Sequence, residues 1–109
     1  MKNRILIFIP AYNVEKKIFS VIERIPNSIF DDNEIDILII NDASTDNTEG
    51  EIEKIKKNFK YSIKVFNSEV NLGYGGVQKY AFKFSIENNY KYLIMLHGDG
   101  QYAPEELPN

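Results

Sequence analysis

Four short segments carry the residues able to do chemistry. They are Pro10-Ala11-Tyr12-Asn13-Val14-Glu15, Asn41-Asp42-Ala43-Ser44-Thr45-Asp46-Asn47-Thr48, Asn71-Leu72-Gly73-Tyr74-Gly75-Gly76 and His97-Gly98-Asp99-Gly100-Gln101-Tyr102. Asp42 ends an apolar run, and a carboxylate there accepts from the N–H of a base or from a ribose hydroxyl. The same residue, with Ser44 and Thr45, equally suits the cap of a following helix. Asp46 and Asn47 read as turn and cap residues. Asp99 lies between Gly98 and Gly100, which let the backbone bend closely round a ligand. Such a carboxylate suits a divalent cation that bridges phosphate oxygens, since Mg²⁺ takes one or two carboxylates and keeps water and phosphate as its other ligands. A solvated aspartate in a glycine-rich turn is the competing reading. The Gly73–Gly76 cluster places backbone N–H groups at a helix start, where an anion binds, or is an ordinary loop-to-helix turn. Lys79, one turn on, faces phosphate or solvent.

Several motifs are excluded. The glycine cluster lacks the third glycine of a dinucleotide fingerprint and follows the third apolar run, not the first. No Gly-Lys-Ser/Thr follows a glycine at P-loop spacing. The chain has no cysteine and one histidine, which rules out a disulfide scaffold, a thiol nucleophile, a thiolate zinc site and a multi-histidine metal site. A net charge of −3 and a pI near 5.1 argue against nucleic acid as a partner. No apolar run approaches the about 20 residues of a membrane span, and Met1–Ile9 lacks the cleavage pattern of a signal peptide. The expectation is a cytoplasmic protein.

The elements that must position these segments follow from the apolar pattern. Ile5–Ile9, Ile35–Ile40 (broken only by Asp36) and Tyr92–Leu96 are continuous apolar runs, as expected of strands buried on both faces of a parallel sheet. Ser62–Phe66 alternates and belongs nearer an edge. Helical spacing runs from Glu15 to Ile25, Thr48 to Phe59 and Gly76 to Asn88. Pro26 stops the first, Thr48 with Glu51 reads as a capping box for the second, and Asn88-Asn89 ends the third. Asn27–Glu34 reads as a polar loop with a turn at Asp31-Asp32-Asn33. The order β-α-β-α-β-α-β predicts an α/β, Rossmann-like fold with a mostly parallel sheet and helices on both faces. Ligands then bind beyond the carboxyl ends of the strands, where all four segments fall.

Taken in order, the segments Ile9–Asn13 with Glu15, Ile40–Thr48, Asn71–Gly73 with Gly75-Gly76, and Gly98–Leu107 resemble the nucleotide-binding half of the family 2 inverting glycosyltransferases of GT-A fold. The likeness covers the whole chain. It is greatest to the branch that makes polyprenyl- or dolichyl-phosphate sugars, enzymes of the kind that supply cell-envelope polysaccharide. The resemblance implies that Pro10, Ala11 and Tyr12 line the base and ribose pocket, that Glu15 bonds the ribose, that Asp42 accepts from the base N–H, and that Gly73 and its neighbours pack near the base. His97 and Gly98 would belong to the same nucleotide site. Asp99 matches the last residue of the family's Asp-x-Asp motif and would help hold Mg²⁺ or Mn²⁺ against the diphosphate, with Gln101 assisting.

The chain departs from the pattern in four places. His97 stands where the first motif Asp usually lies. Imidazole is a poor Mg²⁺ ligand, so His97 is read as hydrogen-bonding the ribose or a neighbouring loop and ligating no metal. Asn41 replaces a common Asp, Ala43 a common Gly, and Val14 an additional acid. The implied ligand is a UDP- or GDP-linked sugar, with a lipid phosphate or a saccharide as acceptor. In the family the acceptor-side residues lie beyond the Asp-x-Asp segment, and here they are expected beyond Asn109. Residues 1–109 are therefore expected to be the donor half, with no catalytic residue of their own, inactive alone and unstable in isolation. The full-length protein would work at the inner face of the membrane. Two other classes fit the pattern less well. A phospho-acceptor receiver module expects an acidic pair after the first strand. A sugar nucleotidyltransferase expects a glycine-rich basic loop there. This chain has Pro10-Ala11-Tyr12-Asn13 instead.

Overall fold

The computed structural model describes residues 3–97. Strand β1 (Arg4–Ala11), helices α1 (Ile18–Glu23) and α2 (Ser28–Asp32), strand β2 (Glu34–Asp42), helix α3 (Thr48–Asn58), strand β3 (Ile63–Ser68), helix α4 (Gly73–Glu87) and strand β4 (Tyr92–Met95) follow in that order. The four strands form one sheet in the order β3-β2-β1-β4, and every pairing is parallel. The alternating run, β3, takes an edge as its pattern requires.

The apolar runs of β1 and β2 divide by parity. Ile7, Ile9, Ile35, Ile37 and Ile39 point to one face and pack on Ile18, Ile22, Ile29, Ile52 and Ile55 from α1, α2 and α3. Leu6, Phe8, Leu38 and Ile40 point to the other and pack on Val77 and Ala81 of α4. Each such side chain contributes about 1.5–3 kcal/mol when fully buried. A continuous apolar run is the direct signature of this double coverage.

Four local expectations need correction. Asn27–Glu34 is not all loop: Ser28–Asp32 forms a helical turn that buries Ile29 and Phe30, with the Phe30 ring stacked on Tyr61 at 3.8 Å. The first helix begins at Ile18 rather than Glu15, because the N–H groups of Val14 and Glu15 are drawn to Thr48 and Asp46 across the sheet end. The Thr48–Glu51 capping box does not form. Thr48 lies inside α3, its hydroxyl serving Val14 and Asp46, while Glu51 pairs with Lys54 at 3.5 Å. Helix α4 also starts earlier than expected, at Gly73, for a reason given below.

Asp36, the polar break in β2, has a structural partner. It accepts from the Tyr90 hydroxyl, and the Arg4 guanidinium lies 4.5 Å over the Tyr90 ring and 3.9 Å from Asp36. Burial, and then the bond to the Asp36 carboxylate, push the Tyr90 phenol well above its ordinary 10.0. A phenol whose folded pKa is raised contributes stability that is present below pH 10 and lost as pH rises further. Tyr90→Phe is therefore expected to cost about 1–2 kcal/mol at pH 7 by stranding the carboxylate. It should also flatten the alkaline loss of stability, as read by urea melts between neutral pH and pH 11.

Candidate functional site

The loops after β1 and β2 are tied into one unit by polar side chains. Asn13, at φ 51°, uses its Oδ1 to accept from the N–H of Thr45 at 2.7 Å and of Asp46 at 3.3 Å. Its own N–H donates to Ser44 Oγ at 3.1 Å. Asn tolerates this left-handed conformation better than other residues with a side chain, because its short amide bonds locally. The next residue, Val14, donates to Thr48 Oγ1 at 2.8 Å. Ala43 also takes a positive φ of 55°, and Ser44 folds back so that its hydroxyl donates to Asn41 Oδ1. Asn41 Nδ2 in turn donates to Asn67 on the neighbouring strand at 3.0 Å.

Asp46 sits at the centre of this unit. Burial pushes its carboxyl up, but hydrogen bonds from the Thr48 hydroxyl and N–H, and from the N–H of Glu15, outweigh that and hold it below its ordinary 3.8. Its Oδ1 accepts from the N–H of Thr48, the first residue of α3, at 3.0 Å.

Asp42 overturns the capping reading: the helix it holds is α4, not α3. It is 6% exposed and does not cap α3. Its two carboxylate oxygens accept from the N–H of Leu72 at 2.6 Å and of Gly73 at 3.1 Å, which are the first groups of α4. A carboxylate facing the exposed N–H groups of a helix start is doubly favoured, by the bonds and by the helix dipole. This anchoring brings α4 forward to Gly73. The positive φ of Gly73, 72°, is strained for any other residue, and a Cβ on Gly76 would meet the Leu72 side chain at 2.9 Å. The glycine cluster is thus a close-approach device at the site's edge.

A cleft of about 370 Å³ opens between these walls, at the carboxyl end of the sheet. Pro10, Ala11, Tyr12 and Val14 form one side, Asn71, Gly73, Tyr74 and Val77 the other, with Asp42 and His97 between. Of the residues singled out in the sequence, Pro10, Ala11, Tyr12, Asp42, Gly73 and His97 meet here. Glu15 does not line this cleft; it borders an adjoining hollow of about 260 Å³ with Tyr12, Asn13 and Asp46. Gly98, Asp99 and Gln101 lie outside the described residues, as does the rest of the chain to Asn109. Asp42 is the cleft's one carboxylate among the described residues, and its oxygens already face two N–H groups. Among the described residues, no group of three or more His, Cys, Asp or Glu side chains comes together to hold a metal ion. Tyr74 joins the site as a neighbour of Gly73, and Asn71 and Val14 come from the same segments that the sequence singles out. Val77 reads in the sequence only as part of a helical stripe, which carries no signal for its place at the cleft.

The chain matches the model of the family described as glycosyl transferase family 2 over residues 6–109. It is 30% identical to an undecaprenyl-phosphate mannosyltransferase of Micrococcus luteus, covering 96% of this chain and 42% of that protein. To a polyprenol monophosphomannose synthase of Mycolicibacterium smegmatis it is 25% identical, covering 95% and 38%. Among solved structures, Staphylococcus aureus TarS residues 1–349 in complex with UDP-GlcNAc superposes with a TM-score of 0.68 at 25% identity, covering 99% of this chain and 29% of that one. The mannosyltransferase PcManGT from Pyrobaculum calidifontis, in complex with GDP-Man and Mn²⁺, superposes with a TM-score of 0.70 at 14% identity, covering 100% and 31%. The parallel α/β sheet is thus the one these glycosyltransferases share, and the chain spans about two fifths of the length of the curated relatives it matches. With its fold and its motif-bearing loops in agreement, the chain belongs to glycosyl transferase family 2.

Proposed function

We propose that residues 1–109 are the donor-nucleotide half of a glycosyltransferase that moves a sugar, with inversion, from a UDP- or GDP-linked donor to a polyprenyl phosphate. The observation that carries this reading is the meeting of Pro10, Ala11, Tyr12, Asp42, Gly73 and His97 round one cleft at the carboxyl ends of parallel strands. Tyr12, half exposed, offers a ring face for a base. The Asp42 carboxylate, held by two backbone N–H groups, keeps lone pairs free for a base N–H. Similarity to an undecaprenyl-phosphate mannosyltransferase and a polyprenol monophosphomannose synthase supports a lipid-phosphate acceptor over a saccharide.

Asp99, with Gln101, would hold Mg²⁺ or Mn²⁺, which supplies charge neutralisation to the departing diphosphate. This chain's described residues bind and orient the nucleotide, and Asp42 fixes the register of the base. The lipid-phosphate acceptor would be met at the inner membrane face. No helix among the described residues is long and apolar enough to cross a membrane.

Calorimetry on the full-length protein tests the reading. UDP or GDP is expected to bind more tightly with Mn²⁺ than without, and Asp99→Ala should abolish that difference. Failure of both nucleotides to bind at millimolar concentration would sink it.

A further inference from the structure

Tyr74 is the second residue of α4, and His97 follows β4. Their rings stack at 6.0 Å between centroids with 17° between planes. The Tyr74 hydroxyl reaches Met95 Sδ, on β4, at 3.2 Å. Both rings line the cleft, yet Tyr74 stays 53% exposed, so core burial does not account for its place. What fixes the start of α4 is the bond from the Gly73 N–H to Asp42. A chain of contacts therefore runs from Asp42 through Gly73 and Tyr74 to His97, joining the end of β2 to the end of β4 across the cleft mouth.

We infer that Tyr74 is a positioning residue of the donor site, whose ring holds the His97 imidazole in place as one wall of the cleft mouth. The inference rests on the nucleotide reading given above and adds a residue to it. Stacking on Tyr74 favours the staggered conformations of the His97 side chain that line the cleft, so an arriving nucleotide meets an imidazole already ordered. Tyr74 acts through His97 and need not touch the ligand.

The test uses the full-length protein and two readouts. In the first, UDP and GDP affinities are measured for Tyr74→Leu and Tyr74→Phe, alone and in a His97→Ala background. Tyr74→Leu is expected to weaken binding about five- to tenfold, and Tyr74→Phe, which keeps the ring, by less than about twofold. In the His97→Ala background Tyr74→Leu should change little. In the second, the His97 ring protons are followed by NMR without nucleotide. They are expected to be ring-current shifted in the wild type and in Tyr74→Phe, and to move back in Tyr74→Leu. An equal loss from Tyr74→Leu with and without His97, or unshifted His97 protons in the wild type, overturns the proposal. If shifted protons accompany a wild-type protein that binds neither UDP nor GDP, the nucleotide reading falls and the role falls with it, while the stack stands.

Discussion

Asp42→Ala is expected to remove measurable nucleotide binding by the full-length protein and to cost the fold about 2–3 kcal/mol. Both effects come from one carboxylate. In the folded chain its oxygens accept from Leu72 and Gly73 while only 6% of the residue meets solvent. Alanine leaves two N–H groups at the start of α4 without an acceptor and removes the negative charge that favours a helix start. The midpoint of urea unfolding should fall with the slope unchanged. Amide exchange should quicken at Leu72, Gly73 and the first turn of α4. Asp42→Asn separates the two roles. Its carboxamide oxygen still accepts from one N–H, so the stability loss should shrink to about half. The charge that a base N–H would meet is gone, so nucleotide affinity should stay low. An Asp42→Ala protein with an unchanged unfolding midpoint would refute the anchoring of α4.

Asn13→Ala is expected to cost about 2 kcal/mol, which is large for a residue exposed to solvent. Two separate terms add. The left-handed φ of 51° is strained for alanine, and the Thr45 and Asp46 N–H groups lose their shared acceptor. Asn13→Gly lifts the first term and keeps the second, so it should recover about 1 kcal/mol of the loss. Equal destabilisation by alanine and glycine would remove the strain term from the account. Because the same loop carries Tyr12 into the cleft, Asn13→Ala should also weaken nucleotide binding in the full-length protein, whereas Gly restores it in part.

The strands were legible because both faces of the sheet are covered. Ile5–Ile9 and Ile35–Ile40 needed no alternation to be read as strands, and their odd and even residues do feed two separate clusters. Helix α2 was not legible, since five residues hold too little of a 3.6-residue period to register. At the site, the residues were visible and their partners were not. Asp42 looked like a local cap because reading along the chain finds acceptors three residues from their donors, whereas its partners are some thirty residues away. Asp36 looked like a flaw in a strand for the same reason, its partner Tyr90 lying beyond three further elements. Thr48 and Glu51 had the spacing of a capping box, but the approach of Val14 from β1 claimed the hydroxyl first.

Pro10 has a consequence for how the cleft comes to exist at all. It occupies a central strand, paired in register with Ile40 on the β2 side. On the other side, among the described residues, β1 and β4 pair as far as Phe8 and Met95, and the last rung is the Leu96 N–H on the Phe8 carbonyl at 3.0 Å. In a strand, the N–H and C=O of residues two apart point to the same side, so the position that would offer β4 its next donor is Pro10, which has none. The two strands part there as two halves of a zip part at a missing tooth. Ala11 and Tyr12 leave along one lip and His97 along the other. The cleft thus begins where one backbone donor is missing.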